Sequence, residues 1–334
     1  MPASSTRPQP DRRRFFQRTG RGWRPRGARY HNRRRVSAIP YPLAVAAVLA
    51  LGIAAACPAA ARTVTDDLGR QLEVPRPPLR IVSLAPGATE MLFAAGAGTQ
   101  VIATVEYSDE PPAARRVPRI GDVVAIDMER LVLLQPDVVV AWPDGGNAAQ
   151  RAGIARLAIP VYDQQVGRLS DLAPAVRRLG VLAGTERQAA AAATAIDARL
   201  EALRRSFGAG RSAAHPPTVL LQVWNRPIYT VGGRQLLSDA LTACGARNVF
   251  ADLPEPGPVV DIEAVIARNP DIIIAAAPPG EAGAWLEDWK RFPTLTAVSR
   301  GRLIAFDDPA LSRLGPSVIG ATEELCRAIE HVGR

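Results

Sequence analysis

The residue types that most often carry out catalysis are sparse in this chain, and they form none of the familiar catalytic motifs. Lys290 is its only lysine, so a Gly-Lys-Ser/Thr phosphate-binding loop is excluded. Its three histidines are His31, His215, which precedes a Pro-Pro pair, and His331, which lies three residues from the last. No CxxC, HExxH or GxSxG sequence is present. The sequence therefore predicts a binding protein and not an enzyme.

Of the three cysteines, one precedes the predicted globular part and two lie within it. Cys57 follows an apolar run and is either removed with a signal peptide or kept as a lipid anchor. Ala54 stands where a lipoprotein signal prefers Leu, which favours removal. Cys244 and Cys326 form an even pair in a chain predicted to be exported, which predicts a disulfide. Two buried free thiols are the alternative.

Residues 1–61 form an arginine-rich leader with 12 Arg and one acidic residue. Its apolar run, residues 43–56, has 14 residues, fewer than the roughly 20 that span a bilayer, and suits the core of a signal peptide. A buried core helix is the alternative. The small residues at 59–61 offer a cleavage site, so we predict export to the periplasm. The other 273 residues carry 29 basic and 31 acidic side chains, so we predict no nucleic-acid binding.

Strands and helices alternate along the rest of the chain, which favours an α/β fold with parallel sheets. The apolar runs that predict strands are residues 80–84, 101–105, 138–141, 218–223, 272–275 and 303–306. Residues 63–72 predict a hairpin, and residues 91–95 a helix that follows a turn at Pro86. Residues 169–207 are rich in Ala, Leu, Arg and Glu, and their later part predicts a long connecting helix. The predicted organisation is an N-terminal lobe (62–168), the connecting helix (169–210) and a C-terminal lobe (211–334).

An internal repeat supports two similar lobes. Residues 127–141 and 261–275 align without gaps and share five identical pairs, Asp127/Asp261, Glu129/Glu263, Pro136/Pro270, Asp137/Asp271 and Ala141/Ala275. Each copy predicts a helix capped by Asp, ended at Pro-Asp and followed by a buried parallel strand. Because one copy lies on each side of the connecting helix, we expect a ligand cleft between the lobes, at the carboxyl ends of their strands.

Residues 79–334 resemble the substrate-binding proteins of ABC importers that have two α/β lobes joined by one helix. The segments that carry the resemblance are Ile81-Val82-Ser83-Leu84-Ala85-Pro86 with Thr89-Glu90, Tyr107-Ser108-Asp109-Glu110-Pro111-Pro112, Met128-Glu129-Arg130-Leu131, Pro136-Asp137 with Ala141-Trp142, Gly145-Gly146-Asn147, and Cys244-Gly245 with Asn248-Val249-Phe250. Siderophore and haem binders share the repeat. The Tyr-Ser-Asp-x-Pro-Pro segment and the cysteine pair favour the members that bind vitamin B12 (cobalamin).

The resemblance implies the ligand, the partner and a set of contact residues. The ligand would be a transported corrinoid, with no cofactor, and the partner an inner-membrane ABC permease dimer; we expect a monomer. The implied ligand contacts are Tyr107, Trp142, Tyr229, Asp308 and Arg313, and Trp224 is a further candidate. Where the family has tryptophans before the two repeat helices, the chain has Val123 and Gly257. An iron-siderophore or haem binder of the same fold is the alternative function.

The two repeat glutamates, Glu129 and Glu263, have two interpretations. Each lies in the first turn of a predicted helix, where the positive end of the helix dipole stabilises a carboxylate by about 0.3–1 kcal/mol. The resemblance implies a second role, in which one exposed carboxylate on each lobe docks onto arginines of the permease. The two roles are compatible.

Overall fold

The computed structural model describes residues 61–77, 79–143, 145, 148–208 and 216–333. The predicted signal peptide and Cys57 lie outside these residues. Among the described residues, no helix combines the length and the apolar character needed to cross a membrane.

The first part of the chain forms a hairpin and then one parallel sheet. Its elements are β1 (Arg62–Thr65), β2 (Gln71–Val74), β3 (Ile81–Ser83), α1 (Pro86–Ala94), β4 (Val101–Ala103), α2 (Met128–Leu133), β5 (Val138–Ala141), α3 (Ala148–Arg156) and β6 (Val161–Asp163). The sheet order is β4-β3-β5-β6, all parallel. Helix α1 begins at Pro86, earlier than the predicted residue 91, because proline fits the first position of a helix, where its missing N–H leaves no bond unmade.

The second part of the chain repeats this topology. Its elements are α4 (Leu172–Ala183), α5 (Glu186–Phe207), β7 (Thr218–Gln222), β8 (Ile228–Tyr229), α6 (Leu236–Ala243), β9 (Arg247–Asn248), β10 (Val259–Val260), α7 (Ile262–Arg268), β11 (Ile272–Ala276), α8 (Ala282–Trp289), α9 (Thr296–Ser299), β12 (Leu303–Phe306), α10 (Ala310–Arg313) and α11 (Val318–Gly333). The sheet order is β12-β11-β7-β9, again all parallel. The predicted fold class, two similar parallel α/β lobes, is confirmed.

The segment between the sheets contains two helices. The predicted long helix is α5, with 22 residues, and α4 precedes it as a separate helix. The break is at Gly184, whose φ of 68° lies in the left-handed region that glycine adopts without strain. A Cβ there would also approach the Pro77 ring to 2.7 Å. The long helix predicted for the later part of residues 169–207 is therefore α5, and the earlier part of the segment forms α4, which packs beside it.

The repeat has a structural explanation at both of its ends. The carboxylates of Asp127 and Asp261 accept hydrogen bonds from the backbone N–H groups of Arg130 (2.9 Å) and Ala264 (2.7 Å), which caps α2 and α7. At the other end, Asp137 accepts from the backbone N–H that precedes β3, at 2.7 Å. Asp271 accepts from the first N–H of β7, at 2.9 Å. Asp137 and Asp271 therefore each tie the strand that follows them to the neighbouring strand of the same sheet.

Both faces of each central strand are buried, as the continuous apolar runs predicted. In β11, Ile272 and Ile274 pack in the large core that includes α4, α5 and α11, while Ile273 packs in a second core of the same lobe. In β5, Val138 and Val140 share the large core and Val139 faces a separate one. The large core therefore joins the two sheets through the helices between them.

The predicted disulfide is present. Cys244, at the end of α6, is bonded to Cys326 in α11 across 82 positions of sequence. Both residues are buried in the large core. The alternative of two free thiols is excluded for this structure, and the bond links the last helix, α11, to the end of α6.

Candidate ligand-binding cleft

A cavity of about 470 Å³ lies where the strands of the N-terminal sheet end. The segments after β3, β4, β5 and β6 all contribute to it, because the carboxyl ends of parallel strands meet at one edge of a sheet. The segment after β12 closes it from the C-terminal half of the chain. Its lining residues are Ala85, Pro86, Gly87, Ala88, Tyr107, Val123, Val124, Trp142, Gly145, Gln164, Val166, Arg313 and Leu314. The walls are thus mainly apolar, with two aromatic rings and few polar groups, which is the usual character of a small-molecule site.

Tyr107 presents its ring to this cavity from a strained backbone. Its side chain is 75% exposed, and its φ of 63° lies in the left-handed region that non-glycine residues seldom adopt. An exposed aromatic ring in such a conformation is more typical of a binding residue than of a packing residue. The sequence-predicted contact Tyr107 is therefore placed on the cavity wall.

Hydrogen bonds on both sides of Tyr107 hold it in this conformation. The next residue, Ser108, is fully buried, and its hydroxyl accepts a hydrogen bond from the Thr104 hydroxyl at 2.9 Å. Thr104 in turn bonds to the Thr89 hydroxyl of α1 at 2.6 Å. Before it, the Glu106 N–H donates to a backbone carbonyl at 2.8 Å. The polar residues of the Tyr-Ser-Asp segment thus anchor the loop, and the ring is left free to meet a ligand.

Trp142 follows β5 directly and is half-buried. It lines both this cavity and a second one of about 300 Å³. Gly145 lies against the indole, because a Cβ at that position would come within 2.8 Å of the ring. The predicted contact Trp142 is therefore also at the cavity, and its neighbours restrict its movement.

Arg313 is the one cationic residue among the described residues that line the cavity, and it forms an ion pair with Glu90. The Arg313 Nε lies 3.9 Å from a carboxylate oxygen of Glu90 in α1, and both side chains are largely buried. Glu90 also accepts two hydrogen bonds from the backbone N–H and hydroxyl of Ser317, which precedes α11. Burial raises the pKa of the Glu90 carboxyl above its ordinary value, although Ser317 and Arg313 act to lower it. This cluster fixes Arg313 against the N-terminal lobe.

Gly87 permits the close approach of the two halves of the chain at this point. A Cβ on Gly87 would collide with the carbonyl oxygen of Arg313 and come within 3.1 Å of the Leu314 backbone. Glycine is therefore required at the second position of α1, where α10 ends against it.

The loop that carries Val123 and Val124 is held by Asp122. The Asp122 carboxylate accepts hydrogen bonds from the N–H groups of Val124 (2.8 Å) and Ala125 (2.7 Å), and these bonds lower its pKa. Val123 lines the cavity at the position where the resembling family has tryptophan. Gly257, the other such position, lies in open space. The aromatic wall therefore consists of Tyr107 and Trp142.

Three other sequence-predicted contacts lie outside this lining. Trp224 and Tyr229 are 52% and 37% exposed and pair with each other just beyond β7. The Trp224 ring meets Trp285 edge-on, with 6.2 Å between ring centroids. Asp308 accepts a hydrogen bond from the Ala310 N–H at 2.8 Å, so it stabilises the start of α10, the short helix that carries Arg313.

Glu129 and Glu263 are both exposed, each in the first turn of its helix. Among the described residues, neither carboxylate has a hydrogen bond or an ion-pair partner. This placement satisfies the helix-dipole interpretation and leaves both carboxylates open to a partner.

The roles of two polar residues, Gln164 in the cavity lining and Glu90 behind it, were not predicted from the sequence. Glu90 belongs to the Thr89-Glu90 segment of the resemblance, but its hydrogen bond with Ser317 joins positions 227 residues apart. Gln164 follows β6, is 4% exposed and lines the cavity. Only the three-dimensional arrangement reveals either role. Among the described residues, no group of three or more His, Cys, Asp or Glu side chains could hold a metal ion.

Comparisons with known proteins agree with this geometry. Residues 81–310 match the family described as "Periplasmic binding protein". The vitamin B12-binding protein of Pectobacterium carotovorum is 33% identical over 249 residues, which are 75% of this chain and 87% of that protein. The vitamin B12-binding protein of Vibrio parahaemolyticus is 31% identical, over 76% of this chain and 90% of that protein.

Solved structures show the same arrangement. The periplasmic vitamin B12 binding protein of Vibrio cholerae superposes with a TM-score of 0.68 at 30% identity, over 77% of this chain and 99% of that one. A periplasmic heme-binding protein of Roseiflexus gives a TM-score of 0.65 at 24% identity, over 76% of this chain and 99% of that one, and so shares the fold.

Proposed function

Because the chain belongs to the periplasmic binding protein family, we propose that it captures cobalamin or a related corrinoid and delivers it to the inner-membrane permease of an ABC importer. The observation that carries the proposal is the cavity walled by Tyr107 and Trp142, in a chain whose curated relatives bind vitamin B12. A corrin is a flat macrocycle with amide side chains. Its face suits an aromatic ring, and its amide oxygens suit a donor such as Arg313.

The exposed rings of Trp224 and Tyr229 in the C-terminal lobe offer a second surface for the ligand. A corrinoid is broader than a cavity of about 470 Å³, so part of the ligand must extend beyond it. Trp224 and Tyr229 lie just beyond the carboxyl end of β7, which corresponds to β3 in the other lobe. We propose that these two rings meet the outer part of the ligand, and that Asp308 acts by holding the helix of Arg313.

A second candidate is haem binding, because Tyr107 offers an exposed phenol oxygen, and a tyrosine oxygen can ligate ferric haem. Siderophore binding is the further alternative within the fold. Incubation of the purified protein with hydroxocobalamin, and separately with haem, followed by desalting and an absorbance spectrum, distinguishes the candidates. We expect the corrinoid spectrum to remain with the protein. Retention of haem alone would contradict the proposal.

For delivery, we propose that Glu129 and Glu263 dock onto arginines of the permease. Their helices α2 and α7 occupy equivalent places in two lobes of the same topology, and both carboxylates are exposed. A two-fold permease dimer presents the same surface twice, so one carboxylate on each lobe suits its symmetry. Exposed charges mainly govern the rate and register of association, and their effect weakens as salt increases.

The double variant Glu129→Ala with Glu263→Ala tests docking. We expect corrinoid affinity near that of the wild type, and slower transport in vesicles that contain the permease, with the greater loss at low salt. The matched control is Glu186→Ala with Glu281→Ala, which removes two exposed carboxylates outside the repeat. If Glu129→Ala with Glu263→Ala transports as fast as the wild type, the docking role is wrong and the two carboxylates serve only to stabilise their helix ends.

Residues 1–61 would supply the route to the periplasm. We propose that this segment is a signal peptide, with removal of Cys57 favoured over lipid anchoring, and that the mature protein acts as a monomer. As a carrier, it would bind and release its ligand without changing it. Mass spectrometry of the intact periplasmic protein would locate the cleavage site and detect any lipid on Cys57.

A further inference from the structure

Two residues that line the cavity each have a buried side-chain nitrogen without a hydrogen-bond partner among the described residues. The Nε2 of Gln164 and the Nε of Arg313 are both buried, and neither has a partner among the described residues. Gln164 is 4% exposed, so its side chain is largely shielded from bulk water. Buried polar groups are nearly always paired, and an unpaired one costs free energy. Both residues line the same cavity, so these donors point to an acceptor that enters it.

The backbone holds Gln164 at the cavity edge. Its N–H donates to the carbonyl oxygen of Ala141 at 2.8 Å, which ties it to the end of β5. The N–H of the next residue, Gln165, donates to the Asp67 carboxylate at 2.9 Å. With both N–H groups fixed, Gln164 stands beside Trp142, on the wall that carries the aromatic contact.

Among the described residues, no acceptor pairs with the Gln164 amide nitrogen. The carboxylate nearest to Arg313 is that of Glu90, which accepts two hydrogen bonds from Ser317 and does not line the cavity. The other described lining residues are glycine, alanine, valine, leucine, proline, Trp142 and Tyr107, and of their side chains the Tyr107 hydroxyl alone can accept a hydrogen bond. The two donors are therefore suited to an acceptor oxygen that a ligand brings into the cavity.

We propose that Gln164 is a ligand-binding and specificity-determining residue, whose amide donates a hydrogen bond to a carbonyl or carboxylate oxygen of the ligand while Arg313 donates to another. This inference rests on the proposed function, and in a corrinoid the acceptors would be peripheral amide carbonyls. A pocket with two unpaired donors discriminates against ligands that lack acceptors there, because the donors would stay unpaired in the complex.

Substitution of Gln164 by methionine, which has a similar length and no donor, tests the assignment. We expect Gln164→Met to weaken cyanocobalamin binding about tenfold, the upper end for one neutral hydrogen bond. Gln165→Met is the matched control, since Gln165 is adjacent in sequence and does not line the cavity; its affinity should match that of the wild type. Calorimetry gives both dissociation constants, and Gln164→Leu serves if the methionine variant does not fold.

Thermal unfolding without ligand separates a binding role from a structural one. Because the Gln164 amide nitrogen has no hydrogen-bond partner among the residues that the structure describes, we expect Gln164→Met to unfold at the wild-type temperature or above it. Unchanged affinity, or weaker binding accompanied by a lower unfolding temperature, would overturn the assignment. Failure of the wild type to bind cyanocobalamin would instead contradict the proposed function, and the role of Gln164 with it.

Discussion

Tyr107→Ala is the most informative change at the cavity, because the ring has few contacts within the protein. Its side chain is 75% exposed, and a tyrosine can bury about 150–250 Å². If a ligand covers one face of the exposed ring, roughly 75 Å² of apolar surface leaves water, which at about 25 cal/mol per Å² contributes about 2 kcal/mol. We therefore expect about a 30-fold loss of corrinoid affinity.

Two companion variants at Tyr107 separate the ring from the backbone. Tyr107→Phe keeps the ring and should bind within about twofold of the wild type. Tyr107→Gly should bind as weakly as Tyr107→Ala, yet unfold at an equal or higher temperature, because glycine adopts the φ of 63° without strain.

Isothermal titration calorimetry with cyanocobalamin and thermal unfolding without ligand provide both measurements for all three variants. Wild-type affinity in Tyr107→Ala would refute the reasoning and move the ligand away from this wall. A large loss in Tyr107→Phe would show that the hydroxyl, rather than the ring face, makes the main contact.

Three further predictions concern the frame of the site. Reduction of Cys244–Cys326, a loop of 82 positions, should lower the free energy of unfolding by at most about 4–5 kcal/mol, measured by denaturant titration with and without reductant. Burial raises the pKa of the Glu90 carboxyl, so the protonated form of Glu90 contributes to the free energy of unfolding below the ordinary pKa, and this contribution is lost as the pH rises through the pKa of the folded state. Denaturant unfolding of Glu90→Gln at several pH values should therefore lack this loss of stability with rising pH. Gly87→Ala should weaken ligand binding and lower the unfolding temperature, whereas Gly69→Ala, at an unobstructed turn, should leave binding unchanged.

The sequence predicted the fold well, because its strongest signals are local. The repeat at 127–141 and 261–275 encodes a capped helix and a buried strand, and both copies form as predicted. The long helix was predicted in the later part of its segment, and the structure places the break before it at Gly184, which adopts a left-handed φ and packs against Pro77. The disulfide followed from cysteine number and from the predicted export.

The site was predicted in part. Tyr107, Trp142 and Arg313 came from motif resemblance, and all three line one cavity. Gln164 and Glu90 could not be predicted, because their roles depend on what surrounds them in space. Gln164 is an ordinary polar residue after a strand until its burial is known.

The central claim is that the natural ligand is a corrinoid, and the ligand that co-purifies with the periplasmic protein tests it most directly. Mass spectrometry of that ligand, released from protein isolated without added ligand, should identify cobalamin or a related corrinoid in an amount comparable to the protein. Haem or a ferric siderophore in its place would contradict the claim, although the fold and the family would stand.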